Sequence, residues 1–228
     1  MQQQSNLGRE EIMFKEQEVL FGKQIESRIG YCFFKRTMDI ICSLMGLIIL
    51  SPLLIIISVL IKIDSKGSVF FYQERVGKNK KIFRMYKFRS MVANAEELKK
   101  RLISQNEMSG PMFKMKEDPR VTKIGKFIRK TSIDELPQLI NVLKGEMSLV
   151  GPRPSLPDEV ADFENWMMKR LDVKPGITCY WQVLGRNDIG FEDWMKLDVE
   201  YATKRNTLTD IKLIYKTFFV LFGDKHAR

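Results

Sequence analysis

The sequence predicts a mainly α-helical fold with one small β-hairpin, an α+β protein that is attached to a membrane. An uncharged apolar segment runs from Ile40 to Ile61, a length comparable to the thickness of a bilayer core. Residues 68–91 form two strand-like runs around a cluster of turn residues, and later segments repeat apolar residues at helical spacing. We therefore expect a re-entrant helix–break–helix in the membrane, packed on a compact cytoplasmic domain with interfacial amphipathic helices.

The composition limits the chemistry that this chain can perform. Its 228 residues carry a formal net charge of +10, which suits nucleic acid, an anionic membrane face or phosphate substrates. The three cysteines, Cys32, Cys42 and Cys179, form no CxxC pair, which argues against a disulfide framework or a zinc site. The only histidine is His226, near the C-terminus, so we expect no chemistry that needs a buried histidine base or histidine metal ligands.

The first 66 residues are predicted to hold the membrane attachment. Residues 1–34 form an N-terminal tail, in which residues 11–30 fit either an interfacial helix or an ordinary amphipathic one. Residues 35–66 form the membrane segment. Roughly 22 helical residues span about 33 Å, just enough to cross a core of about 30 Å, so length does not distinguish crossing from dipping.

Two features of this membrane segment favour a re-entrant hairpin. Ser51 and Pro52 lie at its middle, and proline removes a helix hydrogen bond and bends the axis. Basic residues flank both ends, and the positive-inside rule then places both ends in the cytoplasm. These residues are Lys35 and Arg36 before the segment and Lys62 and Lys66 after it. The alternative is a kinked helix that spans the bilayer, because proline is tolerated there.

Residues 67–228 are predicted to form the cytoplasmic domain, which acts with the membrane segment as one unit, residues 35–228. A basic hairpin covers Ser68 to Met91 and turns at residues 77–80. The predicted helices that follow are Val92–Asn106, Asp158–Arg170, Phe191–Arg205 and Thr209–Phe222. The last of these either packs into the core or lies in the membrane interface.

The stretch Thr131 to Pro154 places two adjacent carboxylates, Asp134 and Glu135, just before a short apolar helix. This helix is predicted from Pro137 to Leu143, and Gly145 ends it. Because proline is tolerated only in the first turn, the spacing predicts a helix that begins at Asp134. The two acids then either cap this helix or hold a hard cation at its N-terminus.

The longer pattern around these acids resembles the bacterial sugar transferase family, the monotopic phosphoglycosyl transferases that start membrane glycan assembly. The resemblance rests first on Arg129–Gln138 and on Gly145–Pro154. It extends from about Lys35 to Phe222 through several further matching segments. These are Lys35-Arg36 with Asp39, Ser51-Pro52, Gln73–Gly77, Tyr86–Met91, Lys174–Thr178 and Trp181–Asn187.

The resemblance implies roles for individual residues. Asp134 would be the nucleophile, and Glu135, together with Asp134, would hold Mg²⁺. Four basic residues would bind substrate phosphates: Lys87, Arg129, Arg153 and Arg186. Arg153 lies between two prolines, which presents it on a stiff loop and suits a bidentate phosphate contact.

Three of these basic residues also have an ordinary explanation. Lys87 fits a solvated basic strand, Arg129 a solvated helix face and Arg153 an exposed structural turn.

Cys179 departs from the family, which commonly has glycine there. If this position requires a positive φ, cysteine is disfavoured, and the local turn is then in doubt.

The resemblance further implies transfer of a sugar-1-phosphate from a UDP-sugar to undecaprenyl phosphate with release of UMP. This reaction is the first membrane step in the assembly of exopolysaccharide, capsule, O-antigen or glycoprotein glycans. The protein would be monotopic, on the cytoplasmic face of the bacterial inner membrane. The sequence specifies neither the sugar nor the oligomeric state, and a homo-oligomer is compatible with it.

Two other classes of protein share some of these features. A non-catalytic, basic membrane-anchored scaffold needs the charge and the apolar segment but not the Asp-Glu pair. A nucleic-acid-binding protein would use the positive charge, but no helix-turn-helix, finger or RNA-binding signature accompanies it. We therefore expect a lipid bilayer and phosphate substrates as partners, and no nucleic acid.

Overall fold

The structure is a computed structural model, which describes residues 2–102, 115, 118–184 and 189–223. The chain divides into two compact units, residues 1–38 and residues 39–228. Helix α1, Gln2–Asp64, supplies the described part of the first unit and continues into the second. The second unit contains all the other described elements.

Helix α1 continues through Ser51 and Pro52, where the sequence predicts a break. Proline has no N–H group, so the carbonyl of Ile48 loses its usual helical donor. The Ser51 hydroxyl donates to that carbonyl instead, at 2.8 Å. A side chain thus replaces the missing backbone bond, which explains why the helical structure persists here. The re-entrant topology of this segment stays a prediction.

The start of the apolar segment is tied to the domain through Asp39. Its carboxylate is only 2% exposed. Its Oδ1 accepts hydrogen bonds from the Ser148 hydroxyl at 3.0 Å and from the Leu149 backbone N–H at 2.9 Å. Because buried carboxylates are retained where their hydrogen bonds are satisfied, Asp39 fixes this end of the segment to strand β3, Ser148–Val150.

The other end of the apolar segment is tied to the same domain. The Asp64 carboxylate accepts from the backbone N–H of Ile124 at 3.0 Å. The Arg89 guanidinium donates to the carbonyl of Ser65 at 2.7 Å and to that of Lys66 at 2.8 Å. A cation is favourable at the negative C-terminal end of a helix, so Arg89 stabilises this terminus.

One face of the segment between these two ends packs on the domain, and the other face is exposed. Ile57 and Ile61 are buried against Phe88 and Ile128. The exposed face is apolar along most of its length. It includes Ile40, Ile41, Leu44, Met45, Ile48, Ile49, Ile55, Ile56, Val59 and Ile63. By length and composition, the stretch Ile29–Asp64 could cross a membrane.

The predicted hairpin is confirmed. Strand β1, Phe70–Val76, pairs antiparallel with strand β2, Ile82–Phe88. The turn between them contains Asn79 and Lys80 at positive φ, as tight hairpin turns require. Side chains alternate along a strand, so Lys87 shares its face of β2 with the buried Phe83 and Met85.

Seven further helices follow α1 within the described residues. They are α2, Ala95–Leu102; α3, Lys123–Lys130; α4, Gln138–Lys144; α5, Pro157–Ala161; α6, Tyr180–Leu184; α7, Phe191–Lys204; and α8, Thr207–Gly223. The predictions for α7 and α8 agree with these bounds to within about two residues. Helix α4 matches the predicted apolar helix Pro137–Leu143 to within one residue at each end, but it does not begin at Asp134. Of the predicted helix at 92–106, residues 95–102 are helical and residues 103–106 lie outside the described ranges.

The single helix predicted at 158–170 is wrong. The chain leaves helical geometry at Asp162, after α5, and forms a 3₁₀ turn at Met167–Asp172. Phe163, Met167 and Leu171 are nevertheless buried. Spacings of four residues suit either arrangement, so hydrophobic periodicity could not distinguish them.

A second sheet is absent from the sequence prediction. Strand β3, Ser148–Val150, runs parallel to β4, Gly176–Thr178. At Gly151 and Gly176 the two backbones are so close that a Cβ atom on Gly176 would lie 2.1 Å from the Gly151 nitrogen. Glycine is therefore required where the two backbones approach each other. This close approach fixes the position at which the chain leaves β3.

Candidate active site

The two predicted acids lie on a short turn between helices α3 and α4. After α3, Ser132 adopts a left-handed conformation with φ 56°, which redirects the chain. Residues Ile133–Glu135 then form a 3₁₀ turn, and α4 begins only after Pro137. Pro137 occupies the N-cap position, and no side chain caps α4.

Both the predicted helix start at Asp134 and the capping role of the acids are therefore wrong. The first N–H groups of α4 are satisfied by the backbone, because Leu139 donates to the Leu136 carbonyl and Ile140 to that of Pro137. Such i→i−3 bonds tighten a helix end without any side chain. The carboxylates of Asp134 and Glu135 are thus free of this structural task.

Glu135 is held by two cations. The Lys87 ammonium donates to Oε1 of Glu135 at 2.7 Å, and both terminal nitrogens of Arg153 donate to the same oxygen at 3.2 Å. Burial would raise the pKa of Glu135, but Lys87 and Arg153 outweigh it and hold that pKa well below its usual range. Glu135 is therefore ionised throughout the physiological range.

Asp134 is different, although it is the next residue. It is 8% exposed, and no residue in the described part of the chain donates a hydrogen bond to its carboxylate. Burial raises the pKa of Asp134 to about 6. The nearby Lys87 opposes this rise, and the negative charge of Glu135 adds to it. At neutral pH Asp134 is thus mostly an ionised, poorly solvated carboxylate, which is a reactive state.

The structure brings Lys87, Asp134, Glu135 and Arg153 together, as predicted from three separate stretches of sequence. Lys87 is ion-paired and partly buried, so it is not part of a solvated basic strand. Arg129 lies exposed in the last turn of α3, and its charge lowers the pKa of Asp134. Arg186 lies outside the described residues.

A buried asparagine places Lys87 opposite Glu135. Asn141 is fully buried in α4, and its side-chain amide both donates a hydrogen bond to the backbone of strand β2 and accepts one from it. It donates to the Arg84 carbonyl at 2.7 Å and accepts from the Tyr86 N–H at 3.0 Å. These bonds fix α4 against the strand that carries Lys87. Sequence reasoning missed Asn141, although a polar residue within an apolar helical run was an available signal.

The loop that carries Arg153 is also fixed. It follows β3 directly, and the Pro152 carbonyl accepts from the Gly176 N–H at 2.9 Å. The Arg75 guanidinium donates to the Pro154 carbonyl at 3.0 Å. Arg153 also lies over the Trp181 ring, 5.8 Å from its centroid. Arg153 is thus presented on a rigid loop, and Arg75 is a second supporting residue that sequence reasoning missed.

The residues present fit a magnesium ion whose coordination is completed by substrate. Within the described ranges, no cluster of three or more histidine, cysteine or acidic side chains could hold a metal. However, Mg²⁺ is commonly held by one or two carboxylates together with substrate phosphates and water. Glu135 is ionised, and its Oε2 accepts no hydrogen bond from any described residue. Asp134 and Glu135 therefore supply suitable hard oxygen ligands.

The backbone conformation at Cys179 does not require glycine. Among the described residues, only Asn79, Lys80 and Ser132 have a positive φ outside glycine, so Cys179 is not strained. Its side chain is fully buried in the core formed with Val150 and Tyr201. Burial raises the pKa of the Cys179 thiol well above its usual value, so it is an unreactive core residue.

The arrangement suits chemistry at a phosphorus atom. A buried carboxylate is ready to attack, an ionised neighbour can hold a metal, and fixed cations can neutralise a polyanionic substrate. Asp134 is ionised and buried, and no described residue donates a hydrogen bond to it. Such burial costs stability, so a purely structural role does not explain it.

Comparison with known proteins agrees with this chemistry. Residues 30–224 match the family model of the bacterial sugar transferases. The galactosyl transferase CpsE of Streptococcus agalactiae is 49% identical over 195 residues. The undecaprenyl-phosphate galactose phosphotransferase of Salmonella typhimurium is 46% identical over 189 residues. The UDP-N-acetylgalactosamine-undecaprenyl-phosphate N-acetylgalactosaminephosphotransferase of Aeromonas hydrophila is 40% identical over 204 residues.

These alignments cover most of this chain but less than half of each relative. They include 85%, 81% and 87% of this chain, and 43%, 40% and 46% of the respective relatives. The match to the family model likewise covers most of this chain, and it includes all the site residues described above. The chain belongs to the bacterial sugar transferase family.

Proposed function

We propose that this protein transfers a sugar-1-phosphate from a UDP-sugar to undecaprenyl phosphate and releases UMP. The names of the Salmonella and Aeromonas relatives support the lipid acceptor, and that of the Aeromonas relative supports a UDP-linked donor. The observation that carries the proposal is the Asp134 carboxylate, which is buried, mostly ionised at neutral pH and adjacent to Lys87 and Arg153.

In the first step a carboxylate oxygen of Asp134 attacks the phosphorus that bears the sugar. A new O–P bond forms to Asp134 as the bond between that phosphorus and the bridging oxygen breaks, and UMP leaves. Lys87 and Arg153 offset the repulsion between the carboxylate and the donor diphosphate. Arg129 and Arg186 complete the proposed set of phosphate-binding residues.

In the second step the phosphate of the polyprenyl acceptor attacks the same phosphorus. The bond to Asp134 breaks, the carboxylate is regenerated, and the product is a polyprenyl-diphosphate sugar. Both steps exchange one O–P bond for another, so no oxidant or additional reactant is needed. The same site thus serves both substrates in turn, as expected for a covalent mechanism.

Glu135, together with Asp134, is proposed to hold Mg²⁺. When bound, the ion would supply Lewis-acid stabilisation of charge on the phosphoryl oxygens. Lys87 and Arg153 both hold Oε1 of Glu135, and these contacts also fix the position of its other oxygen, Oε2.

If the reaction depends on this ion, chelation of divalent ions should stop turnover, and added Mg²⁺ should restore it.

UMP release tests the proposed function against its alternative. Purified protein in detergent, with polyprenyl phosphate present, should release UMP from at least one member of a panel of UDP-sugars. The alternative is a non-catalytic, basic membrane-anchored scaffold, which would release none from any donor. The panel also identifies the sugar, which neither the fold nor the site specifies.

We further propose that the apolar segment enters and leaves the bilayer on the cytoplasmic face of the inner membrane. Asp39 at its start and Asp64 at its end both bond to the same compact domain. A segment that crossed the bilayer would need that domain on both sides of the membrane. The cations at both flanks support the same orientation.

Cysteine labelling tests this topology. In a background that lacks the three native cysteines, Phe34→Cys and Lys66→Cys should both be protected from an impermeant reagent in intact cells. Both should be labelled in inside-out membrane vesicles. If only one of the two positions were protected in intact cells, the segment would span the membrane and the re-entrant proposal would be wrong.

The pKa of Asp134 predicts the pH dependence of the reaction. Below pH 6 Asp134 without a bound cation is mostly protonated and cannot attack, so at low Mg²⁺ concentration kcat/KM should rise with pH and level off above about 6. Bound Mg²⁺ favours the ionised carboxylate, so raising the Mg²⁺ concentration should move this rise to lower pH. Lys87 lowers this pKa, so Lys87→Met should move the acid limb to higher pH. A profile that stays flat between pH 5 and 8 at low Mg²⁺ concentration would contradict Asp134 as the nucleophile.

A further inference from the structure

The loop from Pro152 to Ser155 is clamped at every one of its carbonyl groups. Each carbonyl accepts a hydrogen bond from a donor outside the loop. In order, the donors are the Gly176 N–H at 2.9 Å, the Arg170 guanidinium at 2.7 Å, the Arg75 guanidinium at 3.0 Å and the Val76 N–H at 2.9 Å. A loop held in this way cannot shift one residue without breaking several bonds.

Arg170 is the more deeply buried of the two arginines among these donors. It is 2% exposed, and its guanidinium donates to the Arg153 carbonyl and to the Ser155 hydroxyl. It also pairs with the fully buried Asp198 of α7 at 2.6 Å. Arg170 therefore connects the loop behind Arg153 to the body of the domain.

Aromatic rings restrict the Arg170 guanidinium further. It lies 5.4 Å from the Phe163 ring centroid and 5.6 Å from that of Trp194. A planar, forked cation can serve three acceptors at once and also lie over aromatic rings, whereas a lysine ammonium cannot reproduce this geometry. The environment is thus specific for arginine.

We propose that Arg170 is a positioning residue, which aims the Arg153 side chain at Glu135 and at the donor phosphates. This inference rests on the proposed transfer reaction. A buried ion pair is a weak source of stability, because desolvation offsets most of the attraction between the charges. Control of the Arg153 loop explains better than stability why two charges are buried here.

A double-mutant cycle tests whether Arg170 acts through Arg153. Removing the whole ion pair, with Arg170→Met and Asp198→Leu together, avoids an uncompensated buried charge and is compatible with folding. In the parent, this change should lower kcat/KM by about 10- to 100-fold, within the range of coupling between neighbouring residues. In an Arg153→Ala background, the same change should cost less than about threefold.

Two further variants keep this test decisive. Ser155→Ala removes one acceptor of Arg170 and leaves the ion pair, so it should give a smaller loss with the same dependence on Arg153. Glu200→Gln breaks the exposed pair with Lys204 on the same helix as Asp198, and should leave activity unchanged. An equal loss in the parent and in the Arg153→Ala background would overturn the proposal, because Arg170 would then act independently of Arg153.

Amide hydrogen exchange provides a measurement that does not require activity. The amides of Val76 and Gly176 bond to the carbonyls of Ser155 and Pro152, so they report opening of the loop. Both should exchange faster in the Arg170→Met, Asp198→Leu variant, whereas amides in α8 should not. If the parent released no UMP, the transfer function would fail, and exchange would still test the clamp. Unchanged exchange at both amides would overturn it.

Discussion

Replacing Asp134 with asparagine should abolish sugar-phosphate transfer and leave the fold intact. Asparagine has nearly the same shape as aspartate, and no described residue donates a hydrogen bond that the change would remove. It lacks the negative charge that attacks phosphorus. We expect the rate of UMP release to fall by roughly four orders of magnitude or more, as on removal of a covalent nucleophile.

The same variant should be at least as stable as the parent at neutral pH. Burial raises the pKa of Asp134 in the folded protein, so ionisation above about pH 6 disfavours folding. Asparagine carries no charge and escapes this penalty. The gain in thermal stability should be present at pH 8 and disappear near pH 4, where Asp134 is protonated in the folded state and increasingly in the unfolded state.

Activity and thermal unfolding should be measured together for Asp134→Asn. Asp162→Asn is a suitable control, because it makes the same chemical change at an exposed position outside the site. The control should keep parental activity and show no gain in stability at pH 8. A folded Asp134→Asn variant with near-parental turnover would remove Asp134 from the mechanism.

Arg153→Lys should be the most damaging single change after Asp134→Asn, although it preserves the charge. Both terminal nitrogens of Arg153 donate to Glu135, and a planar fork can also grip two phosphate oxygens. An ammonium offers a single point of charge. Loss of one charge-assisted contact should cost about 2–3 kcal/mol, or roughly a hundredfold in kcat/KM.

A matched control separates this geometric effect from a general effect of lysine. Arg84 lies exposed on strand β2, over the Tyr72 ring, on the opposite face from Lys87. Arg84→Lys should keep turnover within about twofold of the parent, because exposed charges contribute little. An Arg153→Lys variant as active as Arg84→Lys would make Arg153 an ordinary turn residue.

The fold was predicted best where a segment is long and periodic. The hairpin and helices α4, α7 and α8 have enough residues to show their period, and they were found. Strands β3 and β4 have three residues each, which is too short for any period to appear. They pair across more than 20 residues of chain, so their partnership depends on tertiary contacts that local sequence does not show.

The residues proposed to perform the chemistry were easier to predict than the residues that position them. Asp134, Glu135, Lys87 and Arg153 were identified from motifs, and the structure places them together. Asn141, Arg75 and Arg170 each act through a backbone group far away in sequence. Such a partner becomes visible only when the chain is folded, which explains why sequence reasoning did not assign them a role.

The prediction that Asp134 starts and caps helix α4 failed for a similar reason. Its spacing from Pro137 and the apolar run fits a capped helix, and local rules favour it. The left-handed Ser132 instead turns the chain so that backbone groups satisfy the first turn of α4. Because neither carboxylate caps α4, both lie near Lys87 of β2 and Arg153 of the loop after β3.

Covalent labelling of Asp134 tests the central claim most directly. The protein is mixed with a UDP-sugar that its UMP assay has identified, radiolabelled in the sugar, without any lipid acceptor, and is then denatured. We predict up to one label per chain, on the peptide that contains Asp134, and its loss when polyprenyl phosphate is added before denaturation. The label should be absent from Asp134→Asn and present in Asp162→Asn. An active parent that carries no label, or equal labelling of Asp134→Asn, would contradict the covalent mechanism.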